Sequence, residues 1–373
     1  MMHQRGHIMA ALVVLSLAVL AAARTTRQYR QFFPAWNEYL LDLIDTECKQ
    51  ELVAYQDPNG PYLGPPAELM DCVLDGMPEI RKTEMGITAV VLGLLPTMIQ
   101  QIGPTVSEVG VLASRRPLLA FLLGVAMPST STGGPMADPA EGLRAPLRFR
   151  LRTGVFGRAP WLWALVSTIE YLIAAAAVVN TFHQIWQLAL LSISVSAMAI
   201  HSGAISQTYG PFLWAVLVVP AHLLYFWSFK MQYKERRAHS EVPREKRTWL
   251  QAMRSEFVPC AAGEPMLLSR LQTGLFCFTV EFMTEVASLV VMVFGTIALS
   301  SQIFISMGDV VPIIARFLVG TLVCRLVVLF ELHGIREANS DSETKDDVLL
   351  GDAPQSSYEQ ETKGVLVAQD RAV

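Results

Sequence analysis

The chain has 373 residues, of which 52% are hydrophobic and only 17% charged, with a formal net charge of −4. Soluble domains carry about a quarter charged residues, so the composition points to a membrane protein and gives nucleic-acid binding no support. The sign of charge is distributed unevenly along the chain, and that distribution carries the topology.

The N-terminus reads MMHQRGHIMAALVVLSLAVLAAARTTR. A short basic start at Arg5, an apolar stretch from Ile8 and the small residues Ala21 and Ala23 describe a signal peptide over residues 1–23, cleaved before Arg24; an uncleaved signal anchor is the alternative. Both put Arg24 onward on the luminal or extracellular face. Residues 24–83 are strongly acidic and make a small cap, in which WNEYLLDLIDTECKQELVAY has helical spacing and ends near Pro58. Cys48 and Cys72 flank a Pro/Gly-rich stretch in what would be an oxidising compartment. Closing a loop of about 25 residues is worth roughly 3 kcal/mol, so a disulfide is expected, with two free thiols as the alternative.

The first span is expected near residues 85–104, kinked at Pro96. The apolar stretch after Pro117 is about ten residues, too short to cross, and is expected to lie in the interface behind Arg115 and Arg116, which mark the cytoplasmic side. A Ser/Thr/Gly/Pro-rich linker, 128–146, leads to Arg144, Arg148, Arg150, Arg152 and Arg158, a cytoplasmic loop by the positive-inside rule. Spans follow near 160–182 and 211–229. The basic loop after Phe229, with Lys230, Lys234, Arg236 and Arg237, shares the cytoplasmic side with the arginine loop, which requires an even number of crossings between them. Residues 183–209 are therefore expected to be a non-spanning luminal segment. The last spans are expected near 271–299 and 309–331, followed by a polar, acidic tail, 332–373, too poor in apolar residues to order itself. The expected fold is all-α: a polytopic transmembrane helix bundle of about five spans, with a disulfide-bridged luminal cap and a cytoplasmic C-terminus. No internal repeat is evident.

Ionisable groups inside these spans are the candidate site, because a charge at a bilayer centre costs about 2.5–3.5 kcal/mol. If the last two helices form an antiparallel hairpin, residues at equal depth have numbers summing to about 608. Arg325 then falls between Glu281 and Glu285, which share one helix face. One reading is an ion-pair clamp. The other, beside that clamp of Arg325 with Glu281 and Glu285, is a polar path for protons or cations lined by Glu170, Glu281, Glu285, His222 and Arg316. A metal site from His183, His201 and His222 lacks ligand spacing, no cofactor is implied, and no phosphate-loop, dinucleotide, zinc-protease or hydrolase motif occurs.

Cys48 and Cys72, the stretch VLGLLPTMIQQIGPTVSEVGVLASRRPLLAFLLG and the stretch YGPFLWAVLVVPAHLL together resemble a group of uncharacterised multi-pass membrane proteins of filamentous fungi. The resemblance implies a signal peptide, a cysteine-bridged luminal loop, several helices and a non-spanning segment before the P-F-L-W helix; it carries over no activity. The functional expectation is a non-enzymatic protein of the secretory pathway, at the plasma membrane. It would have an interaction or sensing role through its cap or tail, with the lipid bilayer and protein partners, including copies of itself, as contacts. The alternative is a proton or cation translocator.

Overall fold

Five helices among the described residues are long and apolar enough to cross a bilayer. The computed structural model describes residues 28–57, 64–129, 131, 143, 160–195, 210–236, 256–262, 266–271 and 274–351. The expected signal peptide, most of the 128–146 linker, the arginines from 144 to 158, residues 196–209 and everything beyond 351 lie outside them.

The cap is built from α1 (Asn37–Thr46), α2 (Lys49–Gln56) and α3 (Gly64–Asp75). The single helix expected here is broken at Glu47 and Cys48, and Cys48 is bonded to Cys72 of α3, as expected of that pair. Tyr29, Phe32, Leu40, Ile44 and Val73 form an apolar core that rests on Phe304 and Ile193, so the cap is packed onto one end of the bundle, called luminal here after the sequence expectation.

The spans are α4 (Glu79–Ile102), α7 (Pro160–Leu191), α8 (Gly210–Gln232), α9 (Leu275–Ser300) and α10 (Met307–Gly351). α4 packs on both α9 and α10; α9 packs on α8, α8 on α7 and α7 on α10, which closes a ring. Leu92, Leu95, Trp214, Val291 and Phe317 fill its luminal half. The outward faces stay apolar, with Leu172 65% and Leu326 64% exposed, the inside-out pattern that lipid rather than water stabilises. Two short antiparallel ribbons tie the ends of the ring: β1 (Ile193–Ser194) with β4 (Gln302–Ile303), and β2 (Tyr233–Arg236) with β3 (Leu267–Arg270).

Three expectations are corrected. The helix of the second span does not stop near 182: it runs to Leu191, so residues 183–191 belong to the crossing. Gly210 lies beside Ser194, so α7 ends and α8 begins at one level of the bundle.

Secondly, α5 (Val106–Arg115) and α6 (Pro117–Ala126) do not lie flat in the interface. Both pack on α8 and α10, and α6 packs most closely on α7. The Thr181 hydroxyl donates to the Ala126 carbonyl at 2.7 Å, and Gly124 faces the His222 ring. α6 therefore runs from the end of the bundle opposite the cap about 15 Å back into it. A half-helix at that depth must have its terminal carbonyls satisfied by protein, and the group that does so stands on another helix, beyond what local spacing can reveal. The chain then turns back, with Val106 N donating to the Ser131 carbonyl at 2.7 Å.

Thirdly, the tail does not begin at 332. α10 continues to Gly351, and Leu332, Ile335 and Ala338 are buried. Their spacing makes a one-sided apolar stripe, covered by the turn at Cys260–Ala262 and by Met266. The Asn339 amide clasps Met266 at both backbone groups, accepting from its N at 2.6 Å and donating to its O at 2.9 Å.

Candidate ion-pair site at the cytoplasmic end of the bundle

Pro117 opens α6 at a position where its missing N–H is no loss, and a proline drives the residue before it out of the helical region. Arg116, at φ −129° and ψ 73°, is thus the hinge between α5 and α6. That break turns its side chain into the bundle, where it is fully buried. Arg116 Nη1 donates to Glu170 of α7 and, at 2.8 Å, to Glu331 of α10. Nη2 donates to Ser167 Oγ at 2.6 Å and Nε to the Glu256 carbonyl at 2.9 Å. The guanidinium also lies 5.3 Å from the centre of the Tyr171 ring.

Further hydrogen bonds surround the site. The Glu331 carboxylate accepts from Cys260 N at 3.0 Å. The Glu256 carboxylate accepts from Leu118 N at 2.8 Å, Leu119 N at 3.2 Å and the Tyr171 hydroxyl at 2.9 Å. It acts as an N-cap supplied from another part of the chain, placed where the helix dipole favours negative charge. The second oxygen of Glu170, Oε1, is buried and has no hydrogen-bond partner among the described residues.

Burial alone would make the Arg116 guanidinium easier to deprotonate, but Glu331 and Glu170 outweigh it and hold its proton affinity above the ordinary arginine value. The Cys260 thiol is pushed well up by burial and then by Glu331, so it is a protonated, inert thiol at neutral pH. With both carboxylates ionised, Arg116, Glu170 and Glu331 carry one negative charge in excess. Glu331 is about 33 Å along α10 from Asp309, which lies at the cap end, so the cluster stands at the opposite end of the bundle, a distance comparable with a hydrocarbon layer about 30 Å thick.

Of the six residues singled out from the sequence, only Glu170 belongs to this cluster. Arg325 does not reach Glu281 or Glu285: it pairs with Glu108 of α5 at 2.7 Å and donates to the Gly103 carbonyl at 2.8 Å. The hairpin assumption fails because α4 lies between α9 and α10. Glu285 is exposed on the outer face of α9 and Glu281 half-buried, and neither forms an ion pair among the described residues. His222 sits against Gly124, where an added Cβ would come within 3.3 Å of the imidazole. Arg316 contacts Asn180 Oδ1 at 3.1 Å and His183 Nδ1 at 3.4 Å, apart from the cluster. His201 lies outside the described residues.

The residues that sequence reasoning missed are Arg116, Ser167, Glu256 and Glu331. Arg116 was read only as a marker of sidedness and Glu331 as the end of a span. The available signal was the Arg-Pro pair, which breaks a helix next to a charge. No family model, curated protein or solved structure matches the chain.

Proposed function

We propose that the chain translocates protons or small cations, with Arg116, Glu170 and Glu331 as the working site. One observation carries this reading. Two carboxylates from two different spans meet on one nitrogen of a buried arginine, at the foot of a helix that enters the membrane and ends inside it. A purely structural pair needs one carboxylate per guanidinium. The second makes the cluster formally negative when ionised, and uptake of one proton or monovalent cation neutralises it without separating the helices. Intramembrane ionisable groups arranged in this way are functional candidates by default, and half-helix ends are recurrent features of ion sites in transporters. Deeper polar groups, Thr181 on α7 and His222 on the neighbouring α8, lie between the cluster and the opposite half of the bundle, where Trp214 and Phe317 are packed.

The test is flux in proteoliposomes loaded with a pH-sensitive dye and given an imposed proton gradient or membrane potential. The wild type is expected to dissipate the gradient, and Glu170→Gln or Glu331→Gln to slow it at least about tenfold, while Arg325→Gln, away from the cluster, keeps flux. Absence of proton and alkali-cation flux in folded wild type overturns the reading.

A second reading, an interaction or sensing role in the secretory pathway and at the plasma membrane, has support in the cap. Glu38, Asp42 and Asp45 are exposed on one face of α1, whose opposite face buries Leu40, Leu43 and Ile44. Loss of a binding partner on neutralising these three, with flux unchanged, would favour it.

A further inference from the structure

Arg316 differs from Arg116 and Arg325 in its partners. Arg116 and Arg325 each bond a carboxylate. Arg316 is exposed on the outer face of α10, and no carboxylate pairs with it among the described residues. It stands about 10 Å along α10 from Asp309, inside the hydrocarbon layer. Its guanidinium does not stretch towards the luminal headgroups, because α7 holds it in place. Asn180 Oδ1 accepts from Nε at 3.1 Å, His183 Nδ1 lies 3.4 Å from Nη2, and the buried Gln184 amide, with its oxygen turned inward, accepts from Nε at 2.7 Å. Asn180 in turn donates to the Arg316 carbonyl at 3.2 Å. None of these groups is an anion. Around the guanidinium the face is apolar and open, with Val179 68%, Val319 58% and Phe182 41% exposed.

A fixed cation at this depth, on an apolar face, is costly unless something negative covers it. Among the described residues, a second copy of this chain offers no carboxylate at the matching depth on this face. A two-fold pairing of this face would set Arg316 against Arg316, and the outward Glu285 stands on α9, across the ring and about 9 Å deeper from the luminal end. Phosphate headgroups stay outside the hydrocarbon layer. We propose that the α7/α10 face around Arg316 docks a transmembrane helix of another protein, one that carries an aspartate or glutamate at the same depth. The apolar flanks pack against its side chains, while the preset guanidinium selects the acid. This inference stands independently of ion translocation.

The test uses the full chain reconstituted with a labelled synthetic Leu/Ala transmembrane helix bearing one Glu at the depth of Arg316, and an otherwise identical helix bearing Gln. Association is read by resonance energy transfer at increasing lipid dilution. The Glu helix is expected to bind wild type about three- to thirtyfold more tightly than the Gln helix. Arg316→Gln removes that preference and Arg316→Lys retains part of it. Because the two helices are compared on unaltered protein, a variant that folds poorly does not leave the proposal untested. Equal binding of the two helices, or a preference that survives Arg316→Gln in folded protein, overturns it. So does self-association that depends on Arg316, which would make a second copy the occupant, or abolition of the preference by oleate at low mole fraction, which would make it a lipid-borne carboxylate.

Discussion

The Glu256 carboxylate accepts a 2.8 Å hydrogen bond from Leu118 N, across 138 residues of chain. Since Pro117 has no N–H, Leu118 and Leu119 are the first donors that the opening turn of α6 leaves without an intrahelical partner, and Glu256 satisfies both. Glu256→Ala should therefore destabilise the half-helix by about 0.5–2 kcal/mol, the usual range for a lost N-cap. It also strips Tyr171 of its acceptor. Glu256→Gln keeps an acceptor and should lose less. Thermal unfolding in detergent, with proteolysis of the cytoplasmic loops as a local readout, checks the order wild type, Gln, Ala.

Arg116 is the shared ion-pair partner of the buried Glu170 and Glu331, and removing one partner of a buried ion pair costs about 3–5 kcal/mol. Arg116→Met is expected to lower stability by that amount. The triple change Arg116→Met, Glu170→Met and Glu331→Met, which removes every charge of the cluster, should recover most of it. Chemical denaturation of the solubilised protein distinguishes the two. A triple variant no more stable than the single one would show that packing, rather than uncompensated charge, dominates at this site.

Much of the fold was legible because the dominant signals are local. Hydropathy and length located five spans, and luminal placement with paired cysteines located the Cys48–Cys72 bond. What was not legible depends on which helix touches which. Glu281, Glu285 and Arg325 have the right depths for a clamp, but depth says nothing about the order of helices around a ring, and α4 intervenes. A ten-residue apolar helix reads the same whether it lies in the interface or enters the membrane; Thr181, far along the chain, makes the second choice affordable. The continuation of α10 past Glu331 rests likewise on contacts with Cys260, Met266 and Leu268.

The change of partner for Arg325 is directly testable. A double-mutant cycle between Arg325→Gln and Glu108→Gln should show a coupling of about 0.5–3 kcal/mol, the range for residues in contact. The same cycle with Glu285→Gln should show additivity within about 0.5 kcal/mol. The stability of the detergent-solubilised protein is the readout for both. Strong coupling to Glu285 with none to Glu108 would restore the hairpin arrangement of the last two helices and remove α4 from between them.

Packing in the luminal half offers the sharpest steric test. At Gly295 of α9, an added Cβ would overlap Trp214 Nε1 and come 2.7 Å from Cε2, closer than such atoms approach. Trp214 cannot withdraw into open space, since it is fully buried and its ring lies 6.4 Å from that of Phe317. Gly295→Ala should therefore cost about 1–3 kcal/mol through overpacking, even though alanine is the better helix former. Trp214→Phe shortens the side chain at the point of contact, and Nε1 has no hydrogen-bond partner among the described residues to be missed. Alone, that change should destabilise by leaving a cavity; combined with Gly295→Ala it should cost less than the sum of the two. Thermal unfolding of the four proteins gives the coupling. Simple additivity would mean that α8 and α9 do not approach each other at Gly295, and that the ring closes differently in its luminal half.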